Sequence, residues 1–298
     1  MNRELFVGVT SVAGPEAQKF LQAIVSSDVD ALEVGKTQPS LLLTPAGKVV
    51  STLYILRSEV DTFLIVSEVG VCDAVFETLS RLLIRTKAVI EDMCESFVAV
   101  IGDAPNGIVL DAEYCGAPSV ELVLEMTTKN DTDSQDTFSH NDFRISWGAV
   151  STQQDLGDNT IPQEANLDRR AVSFDKGCYL GQELVCRIDS REASTPFSFF
   201  ALTLSKNADQ GLLSAMYEGE VQVFVGETSV GVITSMGTSN ETFINDLSAG
   251  PYNAIARISR KGSVLLEEAK LANTTIRVGG KTISPVILCK SVSGSFST

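Results

Sequence analysis

Apolar residues recur along this chain in two rhythms, and the change of rhythm divides it. Near the start, Ala17, Phe20, Leu21, Ile24 and Val25 fall at offsets 0, 3, 4, 7 and 8. That spacing places them on one face of a helix. Gly14-Pro15 opens it, because proline early in a helix lacks an N–H that would have had no partner anyway. Residues 40–44 read as a strand, Pro45-Ala46-Gly47 as a turn and 48–57 as a second strand; 58–61 then turn into a third at 62–67. Residues 70–87 predict a helix with Val71, Val75, Leu79, Leu82 and Leu83 on its apolar side, and 89–93 and 97–101 are further strands. Residues 143–157 carry a weaker helical period. Hairpins interleaved with packing helices, without repeated strand–helix–strand units, make this part α+β.

The rhythm changes near residue 195. Residues 197–204, 220–224, 230–236, 252–259, 275–278 and 283–288 are short β-rich runs broken by Gly, Asn and Ser, with a helical piece suggested only at 211–216. Such runs predict a small barrel or sandwich. The expected division is therefore 1–195 and 196–298. Between the rhythms, 127–142 is polar and acidic and reads as a long solvated loop.

Charge and composition then remove function classes. Across 298 residues, 23 Lys and Arg stand against 38 Asp and Glu, a formal charge of −15. An acidic surface repels phosphate backbones and anionic lipid, so neither nucleic acid nor membrane is an expected partner. The single histidine, His140, excludes zinc sites with two or three histidines from one chain. No apolar run approaches the roughly 18 residues that span a bilayer, and residues 1–8 hold too short an apolar run for a signal-peptide core. The expectation is a cytoplasmic protein with reduced thiols. The six cysteines contain no CxxC spacing, so zinc-ribbon, thioredoxin and ferredoxin readings fail. Five of them read as small buried hydrophobes, and no stably bound metal is expected.

The sixth, Cys178, stands in IPQEANLDRRAVSFDKGCYLGQELVCR at 161–187. Residues 171–174 look strand-like and 182–187 like the start of a helix. Gly177 and Gly181 permit backbone shapes closed to other residues. Cys178 would then lie beside Lys176 and just before a helix N-terminus, two neighbours that favour a thiolate. Glu183 and Arg187 have the i, i+4 order of a helix ion pair. A glycine-rich turn with a packed cysteine would also account for this string.

Lys176-Gly177-Cys178-Tyr179-x-Gly181-Gln182-Glu183, followed by Arg187, resembles the signature of the YgfZ family, with all eight specified positions of twelve matched. These are tetrahydrofolate-binding proteins related to the glycine-cleavage T-protein, an aminomethyltransferase, and implicated in iron–sulfur cluster maintenance. The resemblance implies an α+β, T-protein-like, three-lobed cloverleaf. Two lobes come before the boundary, a C-terminal β-barrel follows it, and the centre holds a folate-sized channel with Cys178 near its mouth. It implies tetrahydrofolate or a derivative as ligand and iron–sulfur client or assembly proteins as partners of a monomer. Arg144, in FRISWG, resembles an arginine lining the folate site of the transferases; Lys48 and Thr52 are further candidate contacts.

One departure matters. The transferase branch carries paired aspartates where this chain has Ser51 and Thr52. A hydroxyl supplies no negative charge to steady a cationic folate amine. The favoured expectation is thus a folate-binding protein that supports iron–sulfur assembly or repair through Cys178, and not an ordinary transferase. A folate-dependent one-carbon transferase or demethylase, and a non-catalytic folate-binding scaffold, stay open as alternatives.

Overall fold

Three antiparallel sheets organise the chain in the computed structural model, which describes residues 3–5, 7–101, 107–112, 114–117, 121–126, 140–191, 194–203, 220–237, 252–271, 276–278, 281–283 and 288–290. The first holds β2 (Val7–Ala13), β3 (Thr37–Leu43), β4 (Val49–Glu59), β5 (Thr62–Glu68) and β6 (Val89–Asp92), in the order β3-β4-β5-β2-β6. Its period-2 alternation decides what each face meets. Phe63 and Ile65 of β5 join Leu53 and Ile55 of β4 beneath α1 (Ala17–Ile24) and α2 (Cys72–Leu82). Leu64 and Val66 point the other way, into a core shared with the second sheet. That sheet runs β1 (Arg3–Leu5), β7 (Phe97–Ile101), β9 (Leu122–Met126), β8 (Ile108–Asp111).

The third sheet draws every strand from beyond residue 196: β10 (Phe197–Leu202), β11 (Val221–Val225), β12 (Thr228–Met236), β13 (Ala254–Ser259), β14 (Ile276–Val278), β15 (Lys281–Ile283) and β16 (Leu288–Lys290). Its order is β15-β14-β11-β12-β13-β10-β16, and among the described residues the two end strands do not pair with each other. Leu41, Leu43, Ile145, Leu167, Tyr179, Val185, Phe199 and Ile255 form one buried cluster. The core is therefore continuous across residue 195.

Several local expectations change. The helix expected over 70–87 is shorter: a 3-10 turn at Val69–Val71 leads into α2, and Arg85, at φ 55, takes a left-handed conformation that no helix continues through. The weak period at 143–157 yields only α3 (His140–Ser146), followed by turns. His140, expected in a solvated loop, opens that helix and is half-buried; residues 127–139 lie outside the described residues. Residues 171–174 are not a strand: α4 (Asp168–Ala171) ends there, and the Ser173 N–H goes to the Ser26 carbonyl. Strand content expected over 284–287 and the helical piece at 211–216 also lie outside the described residues.

A helix unseen in the sequence, α6 (Arg260–Leu271), packs on β12. Its Gly262 looks like a helix breaker, yet a Cβ there would come 2.6 Å from Val230 Cβ and O. Glycine lets the helix lie close to the strand, and among its described side chains Leu266 is the one fully buried hydrophobe, which makes the apolar stripe thin.

Candidate functional site

The sheet formed by β3, β4 and β5 supplies one wall of a cavity of about 240 Å³; a 3-10 turn at Tyr114–Gly116, α3, residues 149–154 and α4 complete it. Alternation along β4 turns Thr52 and Tyr54 toward the cavity, while Ser51 is fully buried. Thr52 meets Thr152, hydroxyl to hydroxyl, at 3.0 Å, and its N–H donates to Thr152 Oγ1.

Four charged or polar groupings stand in this wall, each internally satisfied. Glu68, at the end of β5, accepts from Ser151 Oγ at 2.6 Å and from the Thr152 N–H at 2.7 Å. Asp111 accepts from the Tyr54 hydroxyl at 2.7 Å and pairs with Arg170. Burial, then the Asp111 charge, push the Tyr54 pKa well up, so it remains a donor. The Tyr114 hydroxyl lies 2.5 Å from His140 Nε2. Burial, aided by Arg144, lowers the His140 pKa to about 4. The imidazole is neutral near pH 7 and shares a single proton with the Tyr114 hydroxyl, whose own pKa burial raises. Beside it, Cys115 is buried with its thiol pushed up to about 12, an inert sulfur.

Arg144 is the fourth. It is not a surface residue opening a helix: it sits in the last turn of α3 and is buried. Its Nη1 donates to the Ala149 carbonyl at 2.9 Å and to Asp155 at 2.7 Å; Nη2 donates to Gln154 and to Ser235 of β12 at 2.7 Å. The guanidinium borders the cavity but is already matched by a fully buried carboxylate.

The motif loop stands apart. Cys178 and Gly177 are exposed, and neither lines the cavity. Lys176 does not offer its charge at the surface as the sequence suggests. Its Nζ turns under the loop to the carbonyls of Val25 and Ser27, at 2.8 and 2.7 Å, with the Tyr179 ring 5.3 Å away. Burial lowers its pKa to about 8, partly opposed by Asp28 and Asp30. Tyr179 is buried, and the Leu180 N–H reaches the Ala23 carbonyl.

Gly181, at φ +79, precedes α5 (Gln182–Ser190), and a Cβ on it would meet the Thr44 carbonyl at 2.5 Å. Gly47, at φ +71, would likewise meet Leu184 and the Gly181 carbonyl. The loop is thus docked glycine to glycine on the β3–β4 hairpin. Gly177 has nothing within 4 Å, so it needs no such allowance. Glu183 and Arg187 are exposed on α5, and no ion pair joins them among the described residues. Lys48, half-buried on the hairpin, acts on Glu164, whose carboxyl pKa burial raises and Arg257 and Lys48 pull back.

The structure therefore gathers Thr52 and Arg144 at the cavity and Cys178, Lys176 and Lys48 elsewhere. Leu41 of β3 lines the cavity and also packs in the cluster that contains Tyr179, so a strand divides the two places. Glu68, Asp111, Arg170, Tyr114 and His140 escaped the sequence reading. Only Arg170, beside the motif's approach, carried a local hint.

Residues 6–106, which contain the whole five-stranded sheet, match the family model of the GCVT N-terminal domain. Among the chain's relatives is the tRNA-modifying protein YgfZ of Blochmanniella pennsylvanica, 23% identical over 213 residues, covering 60% of this chain and 64% of that one. Another is the mitochondrial iron-sulfur cluster assembly factor IBA57 homolog of Mycosarcoma maydis, 25% identical over 225 residues, covering 65% and 55%. The chain thus spans less than two thirds of these relatives' own length. The glycine cleavage system aminomethyltransferase T of Bartonella henselae superposes with a TM-score of 0.70 at 15% identity, over 98% of this chain and 85% of that one. At that identity the likeness establishes the fold. The YgfZ resemblance read from residues 161–187 is borne out by these relatives. Among the described residues, no helix is long and apolar enough to cross a membrane.

Proposed function

We propose that this chain binds tetrahydrofolate or a derivative and supports assembly or repair of iron–sulfur proteins through Cys178, as a cytoplasmic monomer whose third sheet completes a barrel-like lobe of a cloverleaf. The observation that carries this reading is the exposed thiol of Cys178 on a loop pinned beneath by Lys176 and beside by Gly181. Among the other described cysteines, Cys115 is buried, Cys186 is half-buried on α5, and Cys72 and Cys94 lie against each other, so none is presented as fully as Cys178. The relatives named for tRNA modification and iron–sulfur assembly support it. One cysteine does not by itself hold a four-thiolate cluster. Any cluster it contacts is cargo, completed by a partner protein or a small thiol.

The cavity is the candidate folate pocket, with apolar walls and a few fixed polar groups, as small-molecule sites have. Its carboxylates argue against transferase chemistry. Glu68 is held by three donors, and Asp111 is paired to Arg170 and Tyr54, so neither replaces the missing aspartates at 51 and 52.

Two measurements test the reading. Anaerobic calorimetry with tetrahydrofolate on the wild-type chain should give saturable heat; its absence removes folate. In a deletion strain, Cys178→Ala should fold and bind folate yet fail to restore iron–sulfur enzyme activity. Full restoration removes Cys178 from the mechanism.

A further inference from the structure

Cys72, Asp92 and Cys94 come together where α2 starts and β6 ends, and none of them lines the cavity. One ligand atom from each lies within 4.8 Å of the others. Cys72 is buried, Cys94 half-buried and Asp92 exposed.

The surroundings are shaped to this cluster. Gly8 of β2 runs alongside, and a Cβ on it would stand 2.5 Å from Cys72 Cβ and 2.9 Å from its sulfur. Only glycine lets the thiol lie against the strand. The Val9 N–H donates to Cys94 Sγ at 3.3 Å, and the Cys94 N–H donates to Asp92 Oδ1 at 2.9 Å. Hydrogen bonds to a ligand sulfur, and bonds that orient a ligand carboxylate, are the outer supports metal sites use.

The two sulfurs touch, as they would in a disulfide, but the Cα atoms stand 7.8 Å apart. Disulfides hold that separation to about 4.4–6.8 Å. An ion between the sulfurs needs a wider span: tetrahedral zinc, at about 2.3 Å from each thiolate, sets the sulfurs about 3.8 Å apart.

We propose that Cys72, Cys94 and Asp92 form a binding site for a divalent ion of the zinc class, with the fourth position open on the exposed side. Two thiolates select a soft or borderline ion, and the carboxylate favours zinc over copper(I). Binding displaces the two thiol protons to solvent, so affinity falls as pH falls. The site departs from the expectation of no bound metal, which rested on spacing along the chain. The two cysteines are 22 residues apart, and a helix and a strand close that gap.

The test uses the full chain, reduced and then freed of reductant under anaerobic conditions, titrated with cobalt(II) alone. The expected result is one ion per chain, with thiolate-to-cobalt charge-transfer absorption and the visible bands of a tetrahedral site, both lost on adding zinc. Cys94→Ser should abolish the charge-transfer band, Asp92→Asn should weaken cobalt affinity at least tenfold, and Cys178→Ser should leave both unchanged. Because Cys72 is buried, the two accessible positions carry the test, with circular dichroism confirming that each variant is folded. Absence of the band in the wild type, its persistence in Cys94→Ser, or intact-mass evidence that Cys72 and Cys94 are covalently joined after reduction and anaerobic desalting overturns the proposal.

Discussion

Replacing Arg144 by leucine separates a structural role from a ligand-binding one. In the wild type Asp155 is fully buried, and its charge is met by Arg144 at 2.7 Å. Arg144→Leu leaves that carboxylate without a counter-charge, a loss of about 3–5 kcal/mol in buried pairs. Three donors remain: the Ser151 N–H at 2.8 Å and the hydroxyls of Ser235 and Thr234, both at 2.5 Å. They hold the loss toward the lower end of that range. For a chain of this size, about 2 °C of melting temperature goes with each kcal/mol, so the midpoint should drop by an amount toward the lower end of roughly 6–10 °C. Arg144→Lys keeps the charge but not the planar fork that reaches four acceptors, and should fall between. Trp147, the one tryptophan, lies at the turn after α3, and its backbone N–H donates to the Arg144 carbonyl. Its fluorescence in a urea titration therefore reports this region directly. A loss below about 1 kcal/mol, under the lowest value for a broken buried pair, would refute the structural reading. If the leucine variant melted like wild type yet lost folate binding, Arg144 would be the ligand contact that the resemblance implies.

Gly181→Ala should cost about 1–3 kcal/mol, since its positive φ and the Thr44 carbonyl both oppose a Cβ, whereas Gly177→Ala should melt within error of wild type. Timed alkylation with mass mapping at neutral pH should label Cys178 first and leave Cys115 unlabelled until the chain unfolds. Equal labelling would undo the distinction between presented and buried thiols. His140 titrates near 6.5 when unfolded but at about 4 when folded, so the folded state resists a proton that the unfolded state accepts. Stability should fall as pH drops from about 6.5 toward about 4, by at most about 3 kcal/mol, and His140→Gln should lose that dependence.

The elements were legible wherever burial is set by one face of one segment. The α1 stripe, the hairpins of the first sheet and the strands β10 to β13 appear, because alternation and helical spacing are local consequences of pleat and pitch. Helix ends were less legible. α2 ends where the Leu83 backbone leaves the helical region, with Arg85 left-handed beyond it, and Gly262 sustains α6 by close packing on Val230. Neither effect shows in an apolar pattern.

The KGCYLGQE string marked Cys178 and its loop from residue order alone, because a dense local motif needs no partner to be seen. Only the tertiary structure turned Lys176 under the loop, closed Arg144 onto Asp155 and Ser235, and set Thr52 in a cavity apart from Cys178. It also brought Cys72 to Cys94 across 22 residues. The reason is physical. Sequence spacing governs which side chains share a face of one element. Which charges meet, and which thiols stay in water, depend on how separate elements pack, and desolvation then leaves each buried charge needing a partner from another part of the chain.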